Sequence, residues 1–193
     1  MQNTFLIIST IFGLLAPIVG IRSILKGEFK PQRITRFIFL ILTSIFVTSL
    51  FAQGNQAAIY LAILQWTGSV VIFILSIKYG IGGKDKSDFA VLFLALLAIA
   101  IWKITDNPLL GLYMSLLADF VGIAPTLVKS FYKPETEDPK FYFFDVLAAF
   151  FSLLAIQSLV FSQIVFPLYI LFINLVCVIL IFIGRKFKVK TSP

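Results

Sequence analysis

Two carboxylates stand where carboxylates are costly. Asp119 and Asp145 are the only acidic side chains well inside apolar stretches of this 193-residue chain. At about 1.5 Å per residue, Asp119 lies roughly 15 Å into its stretch. A carboxylate at that depth needs a cation, a hydrogen-bond donor or water. It can contact a polar solute or a cation, or it can take up and release a proton as water access alternates. Asp145, one turn into its own stretch, has a second reading. It could pair with Arg36, the basic residue at the matching end of an earlier stretch. Asp119 is read as a substrate or cation contact, and Asp145 as structural or as a proton-coupling group.

A second constellation is neutral. Trp66 lies roughly 14 Å into its apolar stretch, near the midplane of a span. Asn174 sits 108 residues later at similar depth, and Gln65 adjoins Trp66. An aromatic plate with amides suits a neutral polar ring, such as a sugar or nucleoside. Each residue also has a plainer role, Trp66 in helix packing and Asn174 in an interhelical hydrogen bond.

What is missing removes much other chemistry. There is no histidine, so imidazole bases and Ser-His or Cys-His nucleophile pairs are excluded. The single cysteine, Cys177, can form no intrachain disulfide or cysteine-cluster metal site. An intramembrane aspartyl protease would need a Gly-x-Gly-Asp surround, which "LADFVG" does not supply. The expectation is therefore no catalysis, no cofactor and no metal.

The elements that must hold these residues are helices in a bilayer. The chain is 60% hydrophobic and 13% charged, with mean hydropathy +1.02. Soluble domains are nearer half apolar and a quarter charged. Seven apolar segments are read, at about 4–25, 34–53, 57–79, 88–104, 109–131, 141–160 and 163–185. A run of about 20 such residues spans the hydrocarbon core as a helix. The period-two alternation of a barrel strand is absent. Asp88, Asn107-Pro108 and Asp138-Pro139 mark the starts of the fourth, fifth and sixth helices.

Basic residues orient the chain. With the N-terminus outside, the inner loops and tail hold every one of the sixteen Lys and Arg except Lys103. The outer loops "QGNQ" and "SLVFSQ" hold none. Positive-inside bias thus predicts a plasma (inner) membrane protein with N-terminus outside and C-terminus cytoplasmic. The same excess is explained by contact with anionic lipid, without nucleic acid. Lys103, near the outer end of the fourth segment, is expected to snorkel to the interface.

An internal repeat underlies the pattern. A shift of 108 residues lays Pro17 on Pro125, Pro31 on Pro139, Phe12 on Phe120 and Lys78 on Lys186. The first three segments then overlay the last three, and the fourth is left unpaired. Three helices plus one linker put both copies in the same orientation, making them parallel repeats. A proline inside a span removes a backbone hydrogen bond and kinks the helix. Pro17 and Pro125 are accordingly read as a symmetric pair of hinges.

This 3+1+3 layout resembles the SWEET / PQ-loop superfamily across nearly the whole chain. The stretch "APTLVKSFYKPETEDPKFYFFDV" is similar to that family's proline, basic-aromatic loop and polar start of the next helix. The family's Pro-Gln pair is Pro17-Ile18 and Pro125-Thr126 here, and the vitamin-carrying Pnu-type transporters share the same plan. The resemblance implies an all-α integral membrane protein of seven helices. A first repeat would occupy 1–86, a linker helix 87–106, and a second repeat with a basic tail 107–193. It further implies a central pocket lined from the third and seventh helices by Trp66 and Asn174. The implied function is alternating-access transport of a small polar solute, sugar-like or nucleoside- or vitamin-like, as a uniporter. A proton-coupled amino-acid carrier, to whose coupling aspartate Asp145 is similar in position, and a non-transporting receptor are the alternatives. A homo-oligomer is open to it.

Overall fold

The computed structural model describes residues 2–31, 33–54, 56–80, 86–157 and 160–191. Lys84 lies outside them, as do the side chains of Lys86, Asp88, Pro125, Lys188 and Lys190. Every element among the described residues is helical. They are α1 (Gln2–Leu25), α2 (Arg33–Ala52), α3 (Gln56–Tyr79), α4 (Lys86–Thr105), α5 (Pro108–Tyr132), α6 (Pro139–Leu154) and α7 (Phe161–Thr191). A short 3-10 turn, Pro134–Thr136, separates α5 from α6.

Two of the three expected caps are made. The Asn107 carboxamide oxygen accepts from the backbone N–H groups of Leu109 (3.0 Å) and Leu110 (3.4 Å), satisfying donors that the first turn leaves free. The Asp138 carboxylate does the same for the Lys140 N–H at 3.0 Å. Proline follows each cap, where its missing N–H costs nothing. Asp88 is not a cap, because α4 begins two residues earlier at Lys86.

Five helices, α1, α2, α3, α5 and α7, are long and apolar enough to cross a membrane. The chain is thus membrane-embedded. The other two fall short. α4 offers the apolar stretch Phe89–Thr105. α6 stops at Leu154, six residues before the expected end, and its 16 residues reach only about 24 Å. There the Ala155 N–H bonds back to the Phe151 and Ser152 carbonyls, and Ile156 to Leu153. α7 runs past the expected 185 into the basic tail and carries Pro167 near its start.

Burial is inside out relative to a soluble bundle. Ile7, Phe93, Phe172 and Ile104 are exposed, the last to 83%. A continuous apolar exterior of this kind is stable only against lipid tails. The interior of α1 is built from small residues instead. Ser9, Gly13, Ala16, Gly20 and Ser23 recur at three- and four-residue spacing and are all buried. Between helices in lipid, close backbone approach replaces the hydrophobic effect as the source of packing energy. The Ser9 hydroxyl uses that approach to donate to the Ala148 carbonyl of α6 at 2.7 Å.

Neighbour relations follow from such seams. α3 lies against both α1 and α2, and α7 against both α5 and α6. α1 packs on α6, α2 packs on α5, and α4 lies against α5 and α2. Among the described residues α1 does not pack on α2, nor α5 on α6.

The tightest crossing predicts a mutational result. A Cβ at Gly184 would stand 2.2 Å from the Phe131 carbonyl oxygen, so α7 and α5 touch backbone to backbone. Gly184→Ala is expected to cost about 1–3 kcal/mol, typical of overpacking. A melting temperature in detergent equal to the parent's would show that the two helices separate freely.

Candidate functional site

A cavity of ≈ 100 Å³ lies among α1, α2, α3, α5, α6 and α7, with no described lining residue from α4. Since a water needs only about 10–15 Å³ measured this way, several fit. The lining is apolar except at a few points: Arg36, Thr43, Gln65, Ser69, Asp119, Thr126, Tyr142, Asp145 and Asn174. Few polar groups in an apolar wall are what orient a bound solute.

Asp119 is buried and accepts a hydrogen bond from the Tyr169 hydroxyl at 2.5 Å. Asp145 is buried and accepts from the Gln65 amide nitrogen at 2.8 Å. That bond ties α6 to α3 across the cavity. Asn174 also faces the cavity, and its amide nitrogen donates to its own helix at the Ile170 carbonyl, 2.8 Å away. Pro17 lines the wall, with Gly68 of α3 against it, since a Cβ at Gly68 would lie 3.0 Å from the proline Cβ. The α5 helix continues through position 125, whose side chain lies outside the described residues, while its neighbour Thr126 lines the cavity. Gln65, Asp119, Asp145, Asn174 and Pro17 are therefore brought together.

Trp66 is not. The residue is 39% exposed and absent from the cavity wall, and its indole N–H donates to the Ser44 hydroxyl of α2 at 3.0 Å. The reason is helical phase. α3 faces the cavity with Leu64, Gln65, Gly68, Ser69 and Ile72, and Trp66, about 200° around the helix from Leu64, falls outside that face. The indole expected to face a neutral ring is thus outside this cavity, whose aromatic lining is Phe39, Phe46, Phe141 and Tyr142.

The proposed pair between Arg36 and Asp145 is also absent. Among the described residues the ion pairs are Lys26–Glu28 at 3.8 Å and Lys129–Glu137 at 2.9 Å. Arg36 lies over two aromatic faces instead, Phe29 at 5.1 Å and Phe39 at 5.6 Å. Such stacking holds a guanidinium in place without neutralising it.

Beside the cavity lies a polar knot. Buried Glu137 receives the Tyr142 hydroxyl at 2.7 Å on one oxygen and the Lys129 ammonium at 2.9 Å on the other. Lys129 also approaches the Phe29 ring from 5.8 Å. The Ser23 hydroxyl reaches the free oxygen of the Asp138 cap at 2.7 Å, so the last turn of α1 and the connection before α6 are tied together.

Sequence reasoning offered Arg36 as a topology signal and as a partner for Asp145, and passed over Tyr142 and Tyr169. A basic residue one turn inside α2, and phenol-bearing aromatics in otherwise apolar helices, were the available signals.

Removing one partner of the α3–α6 tie should show. Gln65→Leu leaves the Asp145 carboxylate without its donor, a loss of about 1–3 kcal/mol for a buried group. Unfolding in detergent measures it, and a variant as stable as the parent would mean that the bond contributes nothing.

Comparisons with family models, curated proteins and solved structures find no match. The class is set by the structure alone: an all-helical, membrane-embedded protein with a polar cavity inside its bundle.

Proposed function

We propose that this protein is a membrane carrier that moves a small polar solute by alternating access, as a uniporter. The observation that carries the reading is the cavity itself. Polar and charged side chains are expensive inside a helical membrane bundle and collect where a solute pathway needs them. Here they come from five helices, α2, α3, α5, α6 and α7, and converge on one space.

The helix neighbours support a 3+1+3 plan like that of the SWEET and PQ-loop proteins. Exchanging α1 with α5, α2 with α6 and α3 with α7 maps the α1–α3, α2–α3 and α1–α6 contacts onto α5–α7, α6–α7 and α2–α5. On this reading residues 1–86 and 107–193 are the two repeats and α4 is the linker. Pro17 at the wall, with Pro125 as its repeat mate, lets one end of α1 and of α5 swing while the other stays fixed. The basic end of the bundle is cytoplasmic and the N-terminus outside. A cytoplasm-dependent reporter fused after Pro193 is expected to be active. Activity confined to the external side would sink the orientation and the repeat scheme with it.

The test of transport uses purified protein in lipid vesicles and labelled solutes. Uptake that saturates and exceeds protein-free vesicles at least tenfold is expected for one solute class. Vesicles as tight to every small polar solute as protein-free ones would overturn the carrier reading.

A further inference from the structure

We infer that the solute is a small zwitterion, its oxyanion held by Arg36 and its ammonium by Asp119. The inference rests on reading the cavity as a solute site, and it narrows the solute from polar to doubly charged. The cavity is lined by opposite charges, Arg36 against Asp119 and Asp145, that form no ion pair with one another among the described residues. Arg36 has no carboxylate within ion-pair distance among the described residues. Asp119 and Asp145 each accept a hydrogen bond from a neutral group, Tyr169 and Gln65, and neither has a cation within ion-pair distance among the described residues.

A guanidinium and a carboxylate sharing a low-dielectric space attract strongly and normally close onto each other. Here each is held back by its own support. The rings of Phe29 and Phe39 hold the guanidinium at the α2 side, and the Tyr169 hydroxyl holds Asp119 from α7. Keeping two compensating charges separated across a cavity is costly unless something bridges them. A neutral sugar or nucleoside would leave both uncompensated. A monoanion would answer Arg36 and be repelled by two carboxylates, and a monocation would do the reverse. A molecule with one oxyanion and one ammonium answers Arg36 and Asp119 while Asp145 keeps the Gln65 amide, and the guanidinium fork matches a carboxylate with two parallel hydrogen bonds. With Trp66 outside the cavity, no indole plate competes for a neutral ring.

The experiment is ligand-dependent thermal stabilisation of the purified protein in detergent. The probes are the free α-amino acids, their amides, their N-acetyl derivatives, glucose and uridine. A ligand of the folded state raises the melting temperature by mass action. At least one free amino acid is expected to raise it, while its amide and its N-acetyl form do not. Arg36→Gln and Asp119→Asn should each weaken that binding tenfold or more, with Arg36→Lys recovering part of it. The comparison of free, amidated and acetylated probes uses the parent protein, so it decides the matter even where a variant does not fold. Stabilisation by glucose or uridine alone, equal stabilisation by the capped forms, or no response to any probe overturns the zwitterion. Vesicle uptake separates the two readings. Neutral-solute uptake without zwitterion binding leaves a carrier of another substrate, whereas zwitterion binding without flux leaves the site and removes transport.

Discussion

Lys129→Met is expected to destabilise the protein by about 3 kcal/mol or more, and Glu137→Gln in the same background to restore much of that loss. The asymmetry comes from burial. The Glu137 side chain is 2% exposed and that of Lys129 is 33% exposed. Removing the lysine strands a carboxylate that cannot reach water, and breaking a buried pair from that side costs about 3–5 kcal/mol. Glu137→Gln alone leaves an ammonium that can turn outward on its long stem, and its amide oxygen still accepts from Tyr142. That loss is smaller, about 1 kcal/mol, since no buried charge is stranded. In the double variant the neutral amide still accepts from Tyr142, so the stranded charge is gone and one hydrogen bond survives. Unfolding in detergent of the two single variants and the double variant measures the cycle. Equal losses from Lys129→Met and Glu137→Gln, with simple additivity, would show that the pair is solvated and that burial does not set its energetics.

Asp119→Asn is expected to cut solute uptake at least tenfold, while a proton gradient changes nothing in the parent. The carboxylate accepts from Tyr169, and its charge is what a cationic group on the solute would meet. A charge-assisted hydrogen bond contributes about 1.5–3 kcal/mol, and each 1.4 kcal/mol is tenfold in affinity. Asparagine keeps the size and the acceptor oxygen, so packing against Tyr169 survives and the loss reports charge. Asp145 differs in its partner, the Gln65 amide that ties α6 to α3. For a uniporter, Asp145→Asn leaves gradient-independent equilibration intact. Accumulation above the external concentration under an inward proton gradient, lost in either variant, would replace uniport with proton coupling. Uptake unchanged in Asp119→Asn would remove that residue from the binding site.

Much of the architecture was legible in the residues. Apolar runs gave the helices, because about 20 consecutive apolar residues have no other stable home than a bilayer. Asn107-Pro108 and Asp138-Pro139 marked two helix starts to the residue, since capping is a local interaction between neighbours in the chain. Asp119, Asp145, Gln65, Asn174 and Pro17 were singled out as polar or helix-breaking groups inside apolar runs, and all five line one cavity. The cost of burying such groups without a purpose makes them visible in sequence.

Facing direction and partnership were decided only in three dimensions. Trp66 has similar depth to Asn174, yet depth says nothing about phase around the helix, and its position lies outside the α3 face formed by Leu64, Gln65, Gly68, Ser69 and Ile72. The early end of α6 lay in "AIQSLV", whose composition is still that of a span, and it was fixed by the backbone turning back on Phe151, Ser152 and Leu153. Arg36 was legible as a charge, but not as one held by aromatic rings without an ion pair among the described residues. Its two aromatic rings and the carboxylates it does not pair with come from the connection after α1 and from α2, α5 and α6. Composition and local capping fixed what must be buried in lipid. Which charge is left to meet a solute depends on contacts between residues far apart in the chain, such as Asp119 with Tyr169 and Asp145 with Gln65.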